Sequence, residues 1–346
     1  MRRASARRAA ICGCVVLAAA LLCVGEARAQ RPNSDTPAVI EVDLASEARR
    51  EGTLTLYSSA PTEDTGALIA AFEAKYGVKV RLWRGGSEAI LTRTVTETRG
   101  RRFDADVIET AGPEMEALAR EKVLYPLNWP AATDRAPAAP RRDRAWTATR
   151  YSVFAAAYNT GAVAVADVPH RYEDLLDPKW KGRLGIEADD VDWFFAVVGA
   201  LGERKGLDLF REIVARNGVS IRKGHSLLTN LVVSGEVPLA LTAYGYRVDQ
   251  LKKAGAPIDK SYLPPVIALP TGVGVVREAP HPYAALLFTN FMLSDGQDIM
   301  AERGFVTRRT LSAMTTELTL IDAPRLLDER DKWTRLYKET FANRPR

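Results

Sequence analysis

GTLTLYSSAPTEDTGALIAAFEAKYGVKVRLW, running from Gly52 to Trp83, is the stretch on which the fold turns. Gly52 to Tyr57 is a short β-rich run. Leu68, Ile69, Phe72 and Tyr76 then recur at helical spacing within Glu63 to Tyr76, and Gly77 supplies a left-handed stop. Val78 to Trp83 is β-rich again. Strand, helix and strand in that order predict a parallel pair joined by a right-handed crossover, with any ligand outside the carboxyl ends of the strands.

The same rhythm continues on both sides. Ser87 to Thr98 reads as a helix, Ala105 to Ile108 as a third strand, and Pro113 to Lys122 as the helix after it. Pro126 to Pro140 is rich in Pro and Ala without periodicity, and Trp146 to Tyr158 is a long extended segment ending in Asn159-Thr-Gly161. A second α/β series follows: strands at Leu184–Glu187, Val219–Arg222 and Pro238–Thr242, with helices at Asp192–Leu201, Gly206–Arg216 and Ser226–Ser234. Tyr262 to Val276 is extended once more, and Pro264, Pro265 and Pro270 assign it to an edge or hinge. Helices from Pro282 to Asp298 and from Ala323 to Phe341 are expected on the outside.

The predicted class is therefore α/β, with two lobes, each a mostly parallel sheet flanked by helices, and two extended crossings as a hinge. The expected division is residues 1–29 as an export segment, 30–147 plus 265–310 as the first lobe, and 148–264 plus 311–346 as the second.

The N-terminus has its own signature. Arg2, Arg3, Arg7 and Arg8 precede an apolar run from Ala9 to Gly25, which closes on Ala27-Arg28-Ala29 before Gln30, the order of a secretory signal peptide. The run is shorter than a membrane span. A lipid anchor on Cys23 is disfavoured by Leu22, too large for the usual small residue there, and Arg7-Arg8 lacks the patterned stretch of twin-arginine export. All three cysteines, Cys12, Cys14 and Cys23, fall in this segment, so the processed chain has no disulfide and no thiolate metal site. The five Arg and one Glu of residues 1–29 account for +4 of the formal +5. The remaining +1 offers no basic stripe for nucleic acid, and Arg141-Arg142-Asp143-Arg144 reads as a solvated loop.

Catalytic signatures are missing as well. There is no Gly-x-Ser-x-Gly, no His-Glu-x-x-His and no phosphate-binding loop; Gly272-Val-Gly274 lacks the third glycine and the helix of a dinucleotide site and reads as flexible strand. Of the three histidines, His170 and His281 stand beside prolines, where a nucleophile and base are hard to assemble. Binding without catalysis, and without a resident cofactor, is the expectation.

Several segments together resemble a known family. These are Leu54-Thr-Leu-Tyr57-Ser-Ser, Phe72-Glu-Ala-Lys-Tyr-Gly-Val-Lys-Val80, Asp104-Ala-Asp-Val-Ile108, Ala157-Tyr-Asn-Thr160, Leu175-Leu-Asp-Pro-Lys-Trp-Lys-Gly-Arg183, Ala284-Ala-Leu-Leu-Phe288 and Leu293-Ser-Asp-Gly-Gln297. The chain is similar to type II periplasmic solute-binding proteins of ABC importers, in the group that includes ferric-ion binders. That resemblance implies a periplasmic monomer that shuts on a small solute or metal ion and docks on a membrane permease, or reports to a sensor. It also implies Fe3+ as a transported ligand, held by a Tyr-Tyr motif in the second lobe. Here the motif reads Ala243-Tyr244-Gly245-Tyr246-Arg247: Tyr244 matches, Gly245 replaces the second tyrosine, and Tyr246 lies two places on, which an extended chain would keep on one face. The family's histidine and carboxylate positions hold Pro61 and Ala111. A chelate, an organic anion or a polyol therefore competes with the bare ion.

The strand-to-helix junctions supply the candidate contacts. Ser58 and Ser59 follow the first strand, and Gly86-Ser87 follows the second, with Ser87 placed to cap its helix; ordinary capping competes with anion capture at both. Glu187, Asp189 and Trp193, within the run Glu187-Ala-Asp189-Asp190-Val-Asp192-Trp193 at the third junction, suit with its other carboxylates a cationic or metal-bearing ligand, or those acids simply complement the helix dipole. His225 precedes a helix, where it suits an anion, a metal or a cap. Tyr244 and Tyr246 suit ferric iron as phenolates or an organic solute through hydrogen bonds, and Arg247 suits a carboxylate or phosphonate. Two strand-end tyrosines packing at a sheet margin are the plain alternative.

Overall fold

The computed structural model describes residues 37–126, 145–314 and 317–341. The export segment, the three cysteines, Arg141 to Arg144 and nearly all of the Pro/Ala stretch lie outside the described residues. Among the described residues, no helix is long and apolar enough to cross a membrane.

The quoted stretch folds as its pattern requires. Strand β1 (Thr53–Ser58) and β2 (Lys79–Arg84) are parallel, and helix α2 (Thr62–Tyr76) joins them. Gly77 ends α2 at φ +73°, its N–H donating to the Glu73 carbonyl at 2.9 Å. Before β1 lies α1 (Pro37–Glu51), a helix the sequence reading did not place. The Glu51 carboxylate accepts the first free N–H groups of a distant helix, α9 (Pro282–Leu293), from Tyr283 at 3.2 Å and Ala284 at 2.7 Å. Helix α3 (Ser87–Arg99) leads to β3 (Val107–Ala111), parallel to β1, and α4 (Gly112–Arg120) follows it. Phe72, Phe288 and Phe291 form the aromatic centre of this unit, with ring centroids 4.9 to 6.3 Å apart.

The thirteen-residue β4 (Thr147–Asn159) belongs to two groups of strands. Its first half, to Val153, pairs antiparallel with β9 (Val266–Val275); from Phe154 onward its partners are β7 (Leu239–Tyr244) and β8 (Ile258–Ser261). Register shifts at Ala148/Arg150 and Ala155/Ala157 bend the strand around the exchange. The second group is completed by β5 (Leu184–Glu187), parallel to β6 (Ser220–Arg222) and β7. The order across the path is β2-β1-β3-β9-β4-β7-β5-β6. Four helices clothe the second group: α5 (Val191–Leu201), α6 (Glu203–Asn217), α7 (His225–Ser234) and α8 (Gly245–Lys253).

Three expectations change. First, of the edge and hinge positions that the prolines suggested, the edge is excluded, because β9 is an interior strand between β3 and β4. The proline is tolerated because β3 stops at Ala111, opposite Thr271, so no β3 partner is left waiting for the missing N–H. Second, Gly272 and Gly274 are close-approach positions: a Cβ on Gly272 would lie 2.3 Å from the Trp146 ring, and one on Gly274 would lie 2.9 Å from Met115. Third, the C-terminal helix breaks at Glu329. After α10 (Asp295–Glu302) and β10 (Val306–Thr307), β11 (Leu318–Leu320) pairs with β9, and α11 (Ala323–Asp328) lies on α4. Helix α12 (Arg330–Phe341) then packs on the outside, as expected, burying Trp333, Tyr337 and Phe341 against Phe194, Phe195 and Phe210 while Asp331, Arg335, Lys338 and Glu339 face solvent.

Candidate functional site

Strand β7 is buried until its last residue. Tyr244 ends it at φ −85° and ψ 126°, and α8 begins at Gly245. The chain is therefore helical at Tyr246, not extended, and shared strand parity is not what aligns the two phenols. They are aligned all the same, with rings stacked at 6.0 Å and 15°, because the first helical residues carry Tyr246 around beside the strand end. A Cβ at Gly245 would sit 2.6 Å from the Tyr262 hydroxyl oxygen, so any side chain there would have to displace that phenol.

His225 opens α7 with its ring 4.1 Å from that of Tyr244, and Phe154 lies 5.2 Å from Tyr244 and 6.2 Å from His225, so the three rings form one cluster. Its Nδ1 is 3.1 Å from the Thr242 carbonyl and its Nε2 is 3.1 Å from Asp190 Oδ1. Two acceptors on two ring nitrogens call for the imidazolium. Burial works to lower its pKa, but the Asp190 carboxylate, with Glu187 behind it, outweighs burial and raises it to about 9.

The acids come from the β5–α5 junction. Glu187 Oε1 accepts from Gly224 N at 2.7 Å, and Oε2 accepts from Asp189 N at 2.5 Å; burial first, then the Asp190 charge, pushes this carboxyl up. Its main-chain carbonyl accepts from the Tyr337 hydroxyl. Asp190 is only 3% exposed, and its Oδ2 has no hydrogen-bond partner among the described residues. Potential ligand atoms of Glu187, Asp190 and His225 lie within 4.8 Å of one another. Close by, Asp192 is raised to about 7 by burial and then by Asp190 and Glu114. The Tyr244 phenol is held well above 10 by burial and by Asp190 and Asp192, and Tyr246 is pushed up to about 12, chiefly by burial. The cluster around Tyr244 thus sets three acids, Glu187, Asp190 and Asp192, against the single base His225.

Opposite the phenols stands a buried ion pair from the other unit. Arg150 of β4 donates to Glu109 of β3, and the Ser58 hydroxyl donates to the same carboxylate. Arg150 is 4% exposed, with its Nε unpartnered among the described residues. Burial lowers its pKa, while the nearness of Tyr246, Asp64 and Tyr244 favours its charge. The guanidinium also lies 5.1 Å from the ring of Phe305, which sits 4.0 Å from Tyr246.

The structure thus brings Tyr244, Tyr246, His225 and Glu187 together, and reaches Ser58 through Glu109 and Arg150. It separates the others. Trp193 is fully buried, 6.0 Å from Tyr172 and 5.3 Å from Phe210, and is a core residue. Asp189 is exposed, 3.7 Å from Lys223. Ser59 donates its N–H to the Glu109 carbonyl at 3.0 Å. Gly86, not Ser87, is the N-cap of α3, with no side-chain cap bond. Neither residue is joined by a hydrogen bond or ring contact to the tyrosines among the described residues. Arg247 donates to Gln250 at 3.1 Å. The sequence reading took in Asp190 only as one of the run of acids after β5, and it did not single out Glu109 or Arg150. For the last two a signal existed: charged residues inside strand-forming runs stay in a buried sheet only when paired.

Comparison with known proteins follows the same line. Residues 59–299 match the model of the bacterial extracellular solute-binding protein family. The chain is 27% identical over 284 residues to iron uptake protein A1 of Synechocystis sp., covering 77% of this chain and 78% of that one. Iron-bound HitA from Pseudomonas aeruginosa superposes with a TM-score of 0.69 at 25% identity, covering 83% of this chain and 99% of the other. AfuA from Actinobacillus pleuropneumoniae, with fructose-6-phosphate bound, superposes at 0.72 and 20% identity over 85% of this chain and all of its own, a likeness of fold alone.

Proposed function

The chain belongs to the bacterial extracellular solute-binding protein family, whose role is binding and not catalysis, and from that premise we propose that it captures ferric iron, bare or chelated. The observation that carries this reading is the unpartnered Asp190 Oδ2, buried among acids beside two stacked phenols. A buried carboxylate oxygen left without a hydrogen-bond partner is costly even though His225 pairs the other oxygen, and a hard trivalent cation offsets that cost by taking oxygen ligands. Tyr244 and Tyr246 would bind as phenolates, which burial and the neighbouring acids forbid until a cation arrives. Glu187 and Asp190 would add carboxylate oxygens, and His225 would exchange its Nε2 proton for the metal. The names of two similar proteins, an iron uptake protein and an iron-bound one, support iron as cargo.

In this reading the strand groups on either side of the Val153/Phe154 exchange are two lobes that close on the solute, and the closed monomer feeds a permease. The N-terminal segment directs the chain to the periplasm. A second reading has one observation behind it: the free Nε of buried Arg150 fits the carboxylate of an iron chelator, or an organic anion carrying no metal.

Protein purified without chelators should carry iron by metal analysis and absorb visible light through tyrosinate-to-iron charge transfer. Tyr244→Phe should abolish or strongly shift that band. A colourless protein holding an organic acid in native mass spectrometry would overturn the ferric assignment in favour of the anion.

A further inference from the structure

The turn Arg303-Gly304-Phe305 follows α10 on the β1–β3 side of the molecule, yet it lies against α8, which extends from β7. Phe305 stacks on Tyr246 at 4.0 Å, and Gly304, at φ +87°, brings the turn so near that a Cβ would lie 4.0 Å from Tyr246 Cβ. One turn along α8, the Gln250 side-chain amide donates to the Arg303 carbonyl at 3.0 Å and to Asp64 Oδ1 at 3.3 Å. Its own oxygen accepts from Arg247 at 3.1 Å, which fixes the amide's orientation. Asp64, in the first turn of α2, is 5% exposed, and its Oδ1 also takes the Arg303 guanidinium at 2.5 Å. Both Gln250 donors thus end on the opposite unit.

We propose that Gln250 is a positioning residue: a latch that holds α8, and Tyr246 with it, against α2 and the Arg303 turn, and so sets how fully the chain is closed before any solute arrives. The proposal rests on the two-lobe closure reading above. Only contacts present in the closed state and absent from the open one shift the balance between them, and the two bonds donated by Gln250 are of that kind. A chain that is already closed in part binds more tightly, because apparent affinity scales with the competent fraction.

Gln250→Glu tests this at nearly constant shape. A carboxylate donates nothing and would face the Asp64 carboxylate and the Arg303 carbonyl, turning two attractions into repulsions. The radius of gyration of the ligand-free variant, from small-angle scattering, should exceed that of the wild type. Affinity for ferric citrate should fall about 10- to 100-fold, since one lost bond has a charged acceptor. Gln250→Met, which removes the donors without adding charge, should fall between. A residue of local structural value only would lower Tm and leave the radius of the folded chain unchanged; that result, or affinities within about twofold of wild type in both variants, overturns the latch. If the ligand-free radius rises while neither wild type nor variant binds ferric citrate, the latch stands and the ferric reading falls.

Discussion

Replacing Asp190 by Asn should flatten the pH dependence of stability. In the folded chain His225 is raised to about 9 by Asp190 at 3.1 Å, with Glu187 and the Thr242 carbonyl assisting, although burial pulls the other way. Against an unfolded value near 6.5, that gap corresponds to about 3 kcal/mol at roughly 1.4 kcal/mol per pH unit. The imidazole is 24% exposed, so screening brings the expectation to about 2 kcal/mol. Because the folded value is raised, this stabilisation is fully present below pH 6.5, fades as the pH climbs, and is gone above about 9. Urea unfolding of metal-free protein from pH 6 to pH 10 should show the wild type losing about 2 kcal/mol, and Asp190→Asn well under half of that. Near pH 10 the order should close or invert, since the wild type then keeps a buried carboxylate beside a neutral ring. Parallel curves for the two proteins across the whole window would refute the assignment of Asp190 as the charge that holds His225 protonated.

Other consequences are as direct. Tyr244→Phe should weaken ferric binding by at least about 100-fold, roughly 3 kcal/mol, in a competition titration against citrate, while far-ultraviolet circular dichroism stays unchanged. Glu109→Ala should cost about 3–5 kcal/mol in chemical denaturation, because it strands a buried guanidinium, and a loss under 1 kcal/mol would mean that water reaches Arg150. Gly272→Ala should destabilise by about 1–3 kcal/mol, read as a lower Tm, since its Cβ would overlap the Trp146 ring. Trp333→Ala should cost about 3–5 kcal/mol on the same assay, as that indole is wholly buried in the second core.

Local pattern made much of this protein legible before any coordinates. The alternation of β-rich runs with 3.6-residue periodicity placed the strands and helices from Gly52 to Lys122 and from Leu184 to Thr242 within a few residues, because each element's buried face is written in its own spacing. His225 could be singled out because it lies just past a strand end, where an α/β sheet opens to ligands, whereas the Tyr244–Tyr246 segment is marked by its resemblance to the family's tyrosine motif. What sequence could not supply was anything that depends on a distant neighbour. Pro270 suited an edge or a hinge until the end of β3 opposite Thr271 explained how an interior strand tolerates it. Gly245 looked like a lost tyrosine until the Tyr262 hydroxyl was found in that space. Trp193 resembled a ligand contact because it follows acids, but the aromatic cluster of the second core claims it. Asp190, Glu109, Arg150 and Gln250 gain their meaning only from partners 35 to 186 positions away, on elements that tertiary packing alone brings into register. Short-range spacing fixes which face of an element is buried; which charges then face each other is set when the sheet order closes, because burial energy is local in pattern while electrostatic pairing is local only in space.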